Sequence, residues 1–395
     1  MIEITDKKLC SGCSACQAAC KIGCISMLPD LEGFFYPTVD MKNCTHCKKC
    51  LKSCPVLNPK PESSCPQKGY VVNHKETSIR AESTSGGAFT PIAQYILEKG
   101  GVVFGAAFDD NFQVIHRYVD KAEDLGLFRG SKYVQSDMND CYSVAKAFLE
   151  DDRWVCFSGT PCQIEGLHQF LGRNYDHLIT VDFVCHAIPS PLVWKKYLIY
   201  MKERLKSSTI IDISFRDKSK FGYQYPHLSL TTPNKTYYAG IESDPFTRSF
   251  FEHLSIRPIC CSCPFKKRYR VNDFTIWDCF YPENFDSALD DNKGSTCVLI
   301  HTQKGVTLFT EILEVFKFRE IKADTLVNGV KEMFSGTLPN PRRMEFFIDI
   351  NRMDERSFFN KYFSYTPKVV LTRCAKVILA KTNLYKVVKR YAKKV

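Results

Sequence analysis

Hydrophobic and polar positions follow two different rhythms along this chain, and the change comes near residue 68. Before it, apolar residues are sparse, and only Gly33–Asp40 predicts a short hairpin strand. After it, short apolar runs interleave with segments of helical period. Tyr70–Val72, Gly101–Phe108, Trp154–Ser158 and Leu178–Val184 predict strands, with Phe112–Tyr118 as hairpin partner of the second. Helices are expected over Phe89–Lys99, Asn139–Asp151, Gln163–Leu171, Leu192–Leu205 and Val306–Phe316. Residues 208–300 read as richer in strand, including Ile210–Phe215, His227–Leu230 and Phe274–Trp277. Short strands alternating with helices of this length predict an α/β layered core built on a mixed sheet.

The first 60 residues are organised by cysteine. Cys10, Cys13, Cys16 and Cys20, then Cys44, Cys47, Cys50 and Cys54, each follow C-x2-C-x2-C-x3-C. That is the bacterial ferredoxin spacing for a 4Fe–4S cluster, in which the fourth cysteine serves the neighbouring cluster. The expected sets are therefore crossed: Cys10, Cys13, Cys16 and Cys54 on one, and Cys44, Cys47, Cys50 and Cys20 on the other. A lone C-x2-C also serves zinc, but two full copies, with Pro55 after the last cysteine, select iron and sulfur. Lys21 replaces the proline in the first copy. A piece this short buries little apolar surface, so its clusters would serve as its core.

The expected organisation is α+β and α/β: a two-cluster ferredoxin-type domain (1–60), a Pro/Ser linker (61–68), a core (69–340) and a helical basic segment (341–395). With 395 residues, 44% apolar and 25% charged, the chain is globular in composition. Twenty cysteines without an apolar leader point to a reducing cytoplasm and to metal rather than to secreted disulfides. No apolar run approaches the roughly 18 residues of a spanning helix.

Several motifs of the core carry candidate chemistry. Ser85-Gly86-Gly87 before a helix suits a flavin phosphate or ring, and equally a plain turn and cap. Lys132, Tyr133 and Gln135 belong to a second motif that suits a flavin edge or phosphate, or a solvated lysine beside a packed tyrosine. Thr160 and Cys162 follow a strand, at the carboxyl end where open α/β sheets hold ligands. Cys185-His186 ends the next strand, and Cys260, Cys261 and Cys263 come later. Cys162, Cys185, Cys260 and Cys263 supply four thiolates for a third 4Fe–4S cluster, with Cys261 competing for the place of Cys260. A rival reading makes Cys162 a nucleophile with His186 and Asp182. Cys141, Cys156, Cys279, Cys297 and Cys374 are left as buried or unassigned thiols, and Cys65 as a bystander.

At these motifs the chain resembles the beta subunits of coenzyme F420 hydrogenases and dehydrogenases. The resemblance runs from about residue 5 to 340 and includes Gly100–Gly105, Gly130–Gln135, Gly159–Gln163, Pro189–Pro191 and Asn272-Asp273. It implies a flavin-binding core with FAD or FMN beside the extra cluster, and hydride exchange at the flavin. It implies a deazaflavin substrate, and a nicotinamide stands beside it as a further candidate. The family's usual glycine is replaced by Trp277. Similar bacterial chains stand near polysaccharide assembly genes, so the alternative is an accessory protein of that biosynthesis without hydride chemistry.

The net charge of +11 falls to roughly +5 once three cubanes of about 2− each are bound, so nucleic acid is not expected. Lys42, Lys48, Lys49 and Lys52 form a basic rim suited to an acidic ferredoxin-like partner. Residues 368–395 hold nine Lys/Arg and no Asp or Glu, an amphipathic pattern for peripheral contact with the inner face of a membrane or for packing on the body.

Overall fold

The computed structural model describes residues 1–62, 64–382 and 384–392. Ser63 of the expected linker, and Asn383 and residues 393–395 of the basic C-terminal run, lie outside the described residues. Strands β1 (Ile25–Pro29) and β2 (Phe35–Val39) form the antiparallel N-terminal hairpin. Then come β3 (Lys68–His74), β4 (Val102–Phe108), β5 (Val114–Val119), β6 (Val155–Ser158) and β7 (Leu178–Phe183). Strands β8 (Asp212–Asp217), β9 (His227–Thr231) and β10 (Thr236–Ala239) form a separate antiparallel sheet. The last three are β11 (Phe274–Cys279), β12 (Ser295–Ile300) and β13 (Phe316–Ile321).

The large mixed sheet has the order β13-β3-β12-β11-β7-β6-β4-β5. Its middle, β4, β6, β7 and β11, is parallel, so the carboxyl ends of these strands share one edge. The outer pairs are antiparallel. Helices such as Phe89–Glu98 and Pro161–Leu171 cover its faces, which accounts for the continuous burial of Val102–Phe104 and Val155–Phe157.

The expected elements recur with shifted ends, and one differs in kind. The helix expected over Val306–Phe316 runs over Gln303–Glu311 and starts early because the Thr302 side chain caps it by accepting from Gly305 N. Phe316, expected to end that helix, instead opens β13, an edge strand buried at Phe316 and exposed over Lys317–Glu320.

Helices Arg343–Ile350 and Glu355–Phe363 join the main core: Phe346, Phe347 and Phe359 pack with Trp194 and Tyr197 of the helix Pro191–Leu205. Phe34 from the N-terminal hairpin enters the same cluster. Glu32 accepts both terminal nitrogens of Arg343, at 3.0 and 2.6 Å, and its backbone carbonyl accepts from Ser190 Oγ. Residues 1–60 are thus bonded to the body through side chains as well as through the connecting chain.

The C-terminal helices Pro367–Lys381 and Tyr385–Ala392 turn cations inward. Lys376 meets Glu242, and Lys386 meets Glu283 and Asp290, while Leu371, Ile378 and Val388 are exposed. Among the described residues, no helix is long and apolar enough to cross a membrane.

Candidate functional site

The N-terminal thiols separate into an inner and an outer group. Cys13 and Cys16 are buried, and each lies in the electrostatic reach of Cys10 and Cys54. This is the first crossed set expected from the spacing. Burial pushes the Cys13 thiol up to about 12 and Cys16 well above its ordinary value, so both need a cation or metal to stay ionised. In the outer group Cys50 is buried and Cys47 exposed, so this group reaches the surface beside the exposed Lys42, Lys48, Lys49 and Lys52.

One thiol there was not anticipated. Cys24, four residues beyond the first motif, is buried with its sulfur 3.2 Å from that of Cys20, and it also interacts with Cys44. Its sequence signal is the extra x3-C after Cys20.

The inner group touches the core through the helix Pro161–Leu171. Pro161 fixes the first helical position, and Thr160 forms a capping box with Gln163. Gly166 of this helix lies against Cys13: a Cβ there would sit 3.0 Å from the Cys13 sulfur and 3.1 Å from the Tyr142 hydroxyl. Cys162 occupies the helix start, its sulfur 3.0 Å from Thr160 Oγ1, and interacts with Cys13, Cys260 and Cys263. Cys185, just beyond β7, interacts with Cys162, Cys260 and Cys263. One small cavity is lined by all four of these cysteines. Cys260 is buried on its wall, and Cys261 is not part of the lining.

Burial raises Cys162 and Cys260 to about 12 and Cys185 well above the ordinary thiol value. Among the described residues, no three His, Cys, Asp or Glu side chains converge as ligands of one metal ion. The four sulfurs border a cavity instead, as a cubane requires because its irons stand at separate corners. In donor chemistry, four sulfurs on loops and a helix start fit such a cluster.

The rival thiol-and-base arrangement does not form. The Asp182 carboxylate is taken by Arg270 at 2.8 Å and Thr275 at 2.7 Å, while His186 Nε2 faces His253 Nε2 at 3.1 Å. Among the described residues, no carboxylate hydrogen-bonds His186 to orient it towards Cys162.

Beyond the four cysteines opens a cavity of about 680 Å3 at the carboxyl edge of the parallel strands. Its size falls within the range of a cofactor pocket. Cys162 and Cys185 lie on the wall common to both cavities. Ser85, Gly87, Lys132, Tyr133, Gln135 and Thr160 all line the large one.

Gly86 is absent from the lining and serves close packing. Its N–H donates to Thr296 Oγ1, and a Cβ would stand 2.3 Å from the Val72 carbonyl. The Lys132 ammonium is turned to the carbonyls of Leu127 and Arg129, at 2.7 and 2.9 Å, and burial lowers its pKa to about 7. It orders its own loop before it can meet any ligand. Tyr133 packs against Phe215, Phe250 and Phe251 with its ring tilted or edge-on to theirs. Trp277 also lines the cavity, from β11. A lining that combines polar groups such as Ser85, Gln135 and Thr160 with the rings of Tyr133 and Trp277 suits a flat heteroaromatic ligand carrying phosphates.

Residues 152–324 match the family model for the C terminus of the "Coenzyme F420 hydrogenase/dehydrogenase, beta subunit". Residues 70–142 match the model for its N-terminal part, and residues 9–58 a "4Fe-4S dicluster domain". Among curated proteins, the chain is similar to the F subunit of the F(420)H(2) dehydrogenase of Methanosarcina mazei, 25% identical over 172 residues. The match covers 41% of this chain and 48% of that protein, so it spans about half the length of the relative. A solved structure, the xenon-derivatised F420-reducing [NiFe] hydrogenase complex of Methanosarcina barkeri, aligns over 72% of this chain and 98% of its own with a TM-score of 0.43 and 16% identity.

Proposed function

Because the chain belongs to the family of coenzyme F420 hydrogenase/dehydrogenase beta subunits, we propose that it is an iron–sulfur flavoprotein oxidoreductase. A hydride is exchanged in the large cavity, and electrons pass singly through the N-terminal region to or from a ferredoxin-like partner. The family and the dicluster match make it an iron–sulfur protein of an oxidoreductase family. The flavin, the third cluster and the direction of flow belong to the proposal.

One observation carries the reading. Cys162 and Cys185 form the partition between the large cavity and the four-cysteine cavity, and Cys13 stands behind Cys162. When bound, a flavin supplies two-electron chemistry and cubanes supply one-electron chemistry. Ser85, Gly87 and Thr160 would hold the flavin's polar parts, and Tyr133 and Trp277 its rings. Lys132 would keep the Leu127–Gly130 loop in place around them. Cys47 and its lysine rim would meet the partner.

Protein purified without oxygen should carry a bound flavin and about twelve irons per chain. Colourless or zinc-loaded protein would refute the reading, and clusters without flavin would leave only single-electron transfer. Anaerobic oxidation of reduced deazaflavin, NADH and NADPH then identifies the substrate. Trp277 lines the cavity, so its ring would bear on which substrate fits.

A further inference from the structure

Arg257 is 1% exposed and precedes the turn that carries Cys260 and Cys263. Its guanidinium spans two parts of the chain that are far apart in sequence. Nε donates to the Cys10 carbonyl at 2.8 Å, and Nη2 to the Phe35 carbonyl at 3.0 Å. Nη1 donates to Gln135 Oε1 at 3.2 Å, and Nη2 also reaches the Cys10 sulfur at 3.6 Å. The guanidinium carbon lies 4.2 Å from the centroid of the Tyr36 ring.

No carboxylate pairs with it among the described residues. A buried cation without an anion is strongly disfavoured. Yet Arg257 lines the cavity of Cys162, Cys185, Cys260 and Cys263. Gly12 permits this approach: a Cβ there would stand 2.8 Å from Arg257 Nη1.

We propose that Arg257 is the counter-ion shared by the two inner clusters, the Cys10–Cys13–Cys16–Cys54 set and the Cys162–Cys185–Cys260–Cys263 set, and that it raises the reduction potentials of both. This rests on the four-cysteine cluster proposed above. Each cubane with its thiolates is anionic, and adding an electron increases that charge. A fixed positive charge between the two favours the reduced form of each. The N–H bond to the Cys10 sulfur acts in the same direction on the first set alone.

The test is an anaerobic redox titration followed by electron paramagnetic resonance on holoprotein, R257Q and R257K, with iron measured first. The C162S variant assigns the signals. In R257Q the reduced-to-oxidised ratio of both inner clusters at fixed potential should fall at least tenfold, about 59 mV for one electron. The outer cluster should stay within threefold. R257K, which keeps the charge, should hold the Cys162-set potential within threefold. Fully loaded R257Q with unmoved inner potentials overturns the proposal. If R257Q does not load, R257K decides: failure to load, or a tenfold fall at the Cys162 set, makes the role one of shape and not charge. Wild-type iron near eight instead of twelve refutes the third cluster itself, and this is known before any variant is compared.

Discussion

The sulfurs of Cys20 and Cys24 lie 3.2 Å apart, and Cys24 also interacts with Cys44. The outer cluster therefore has two thiols for its fourth position. C20S and C24S should each retain full iron, because the remaining sulfur needs only a rotamer change. The double variant should lose about four irons per chain. Iron loss in C20S alone would make Cys24 a bystander.

Replacing Cys162 tests the core cluster. C162S should lower iron from about twelve towards eight while leaving the N-terminal clusters intact. Unchanged iron would remove Cys162 from the ligand set.

Gly166 sets the contact between the ferredoxin-type region and the core. Gly166→Ala places a methyl against the Cys13 sulfur and the Tyr142 hydroxyl. The cost should be about 1–3 kcal/mol, from overpacking of a rigid contact. Denaturant unfolding of the holoprotein measures it, and a change below a few tenths would show that the region can shift away.

Several buried histidines make the fold sensitive to acid. Burial lowers His116 to about 4, where it lies between Ser136 and the Ser158 carbonyl. His227 falls to about 4, and His168 and His301 to about 3, for the same reason. A base whose folded pKa is depressed binds fewer protons folded than unfolded. Its stability contribution is present above the unfolded value of 6.5 and is lost as pH falls towards the folded value. Each contributes a slope approaching 1.4 kcal/mol per unit at most, about one proton. Unfolding free energy measured from pH 7 to 5 should drop steeply, and His116→Gln should flatten the curve by up to one proton. An unchanged slope would place His116 in water.

The cluster motifs and the sheet were legible in the sequence because both rest on short spacings: two or three residues between ligands, and alternating apolar runs for strands. Cys162, Cys185 and the Cys260–Cys263 pair stand on three separate segments, yet Cys162 lies at a helix start, Cys185 follows a strand, and the pair has its x2 spacing and following proline, so these local signs were readable.

What stayed hidden depends on partners distant in the chain. Arg257 resembles any surface arginine until Cys10 and Phe35 are brought beside it. The motif around Lys132 does not reveal that its ammonium faces the carbonyls of its own loop. Phe316 read as the last residue of a helix, and its pairing with His74 of β3 places it at the start of an edge strand. The basic C-terminal pattern suited a membrane surface and packing on the body alike, and only the fold shows that Lys376 meets Glu242 and Lys386 meets Glu283 and Asp290.

Arg343 grips Glu32, Ser190 bonds the Glu32 carbonyl, and Gln135 accepts from the Phe35 amide. These bonds distinguish hard wiring from a tethered shuttle. A carrier on a loose leash would swing between donor and acceptor, and its throughput would slow in glycerol or sucrose as the hinge drags through solvent. Here the gaps between sulfur groups are set by the fold, so internal electron flow should be indifferent to viscosity. Only the encounter with an outside partner should feel it.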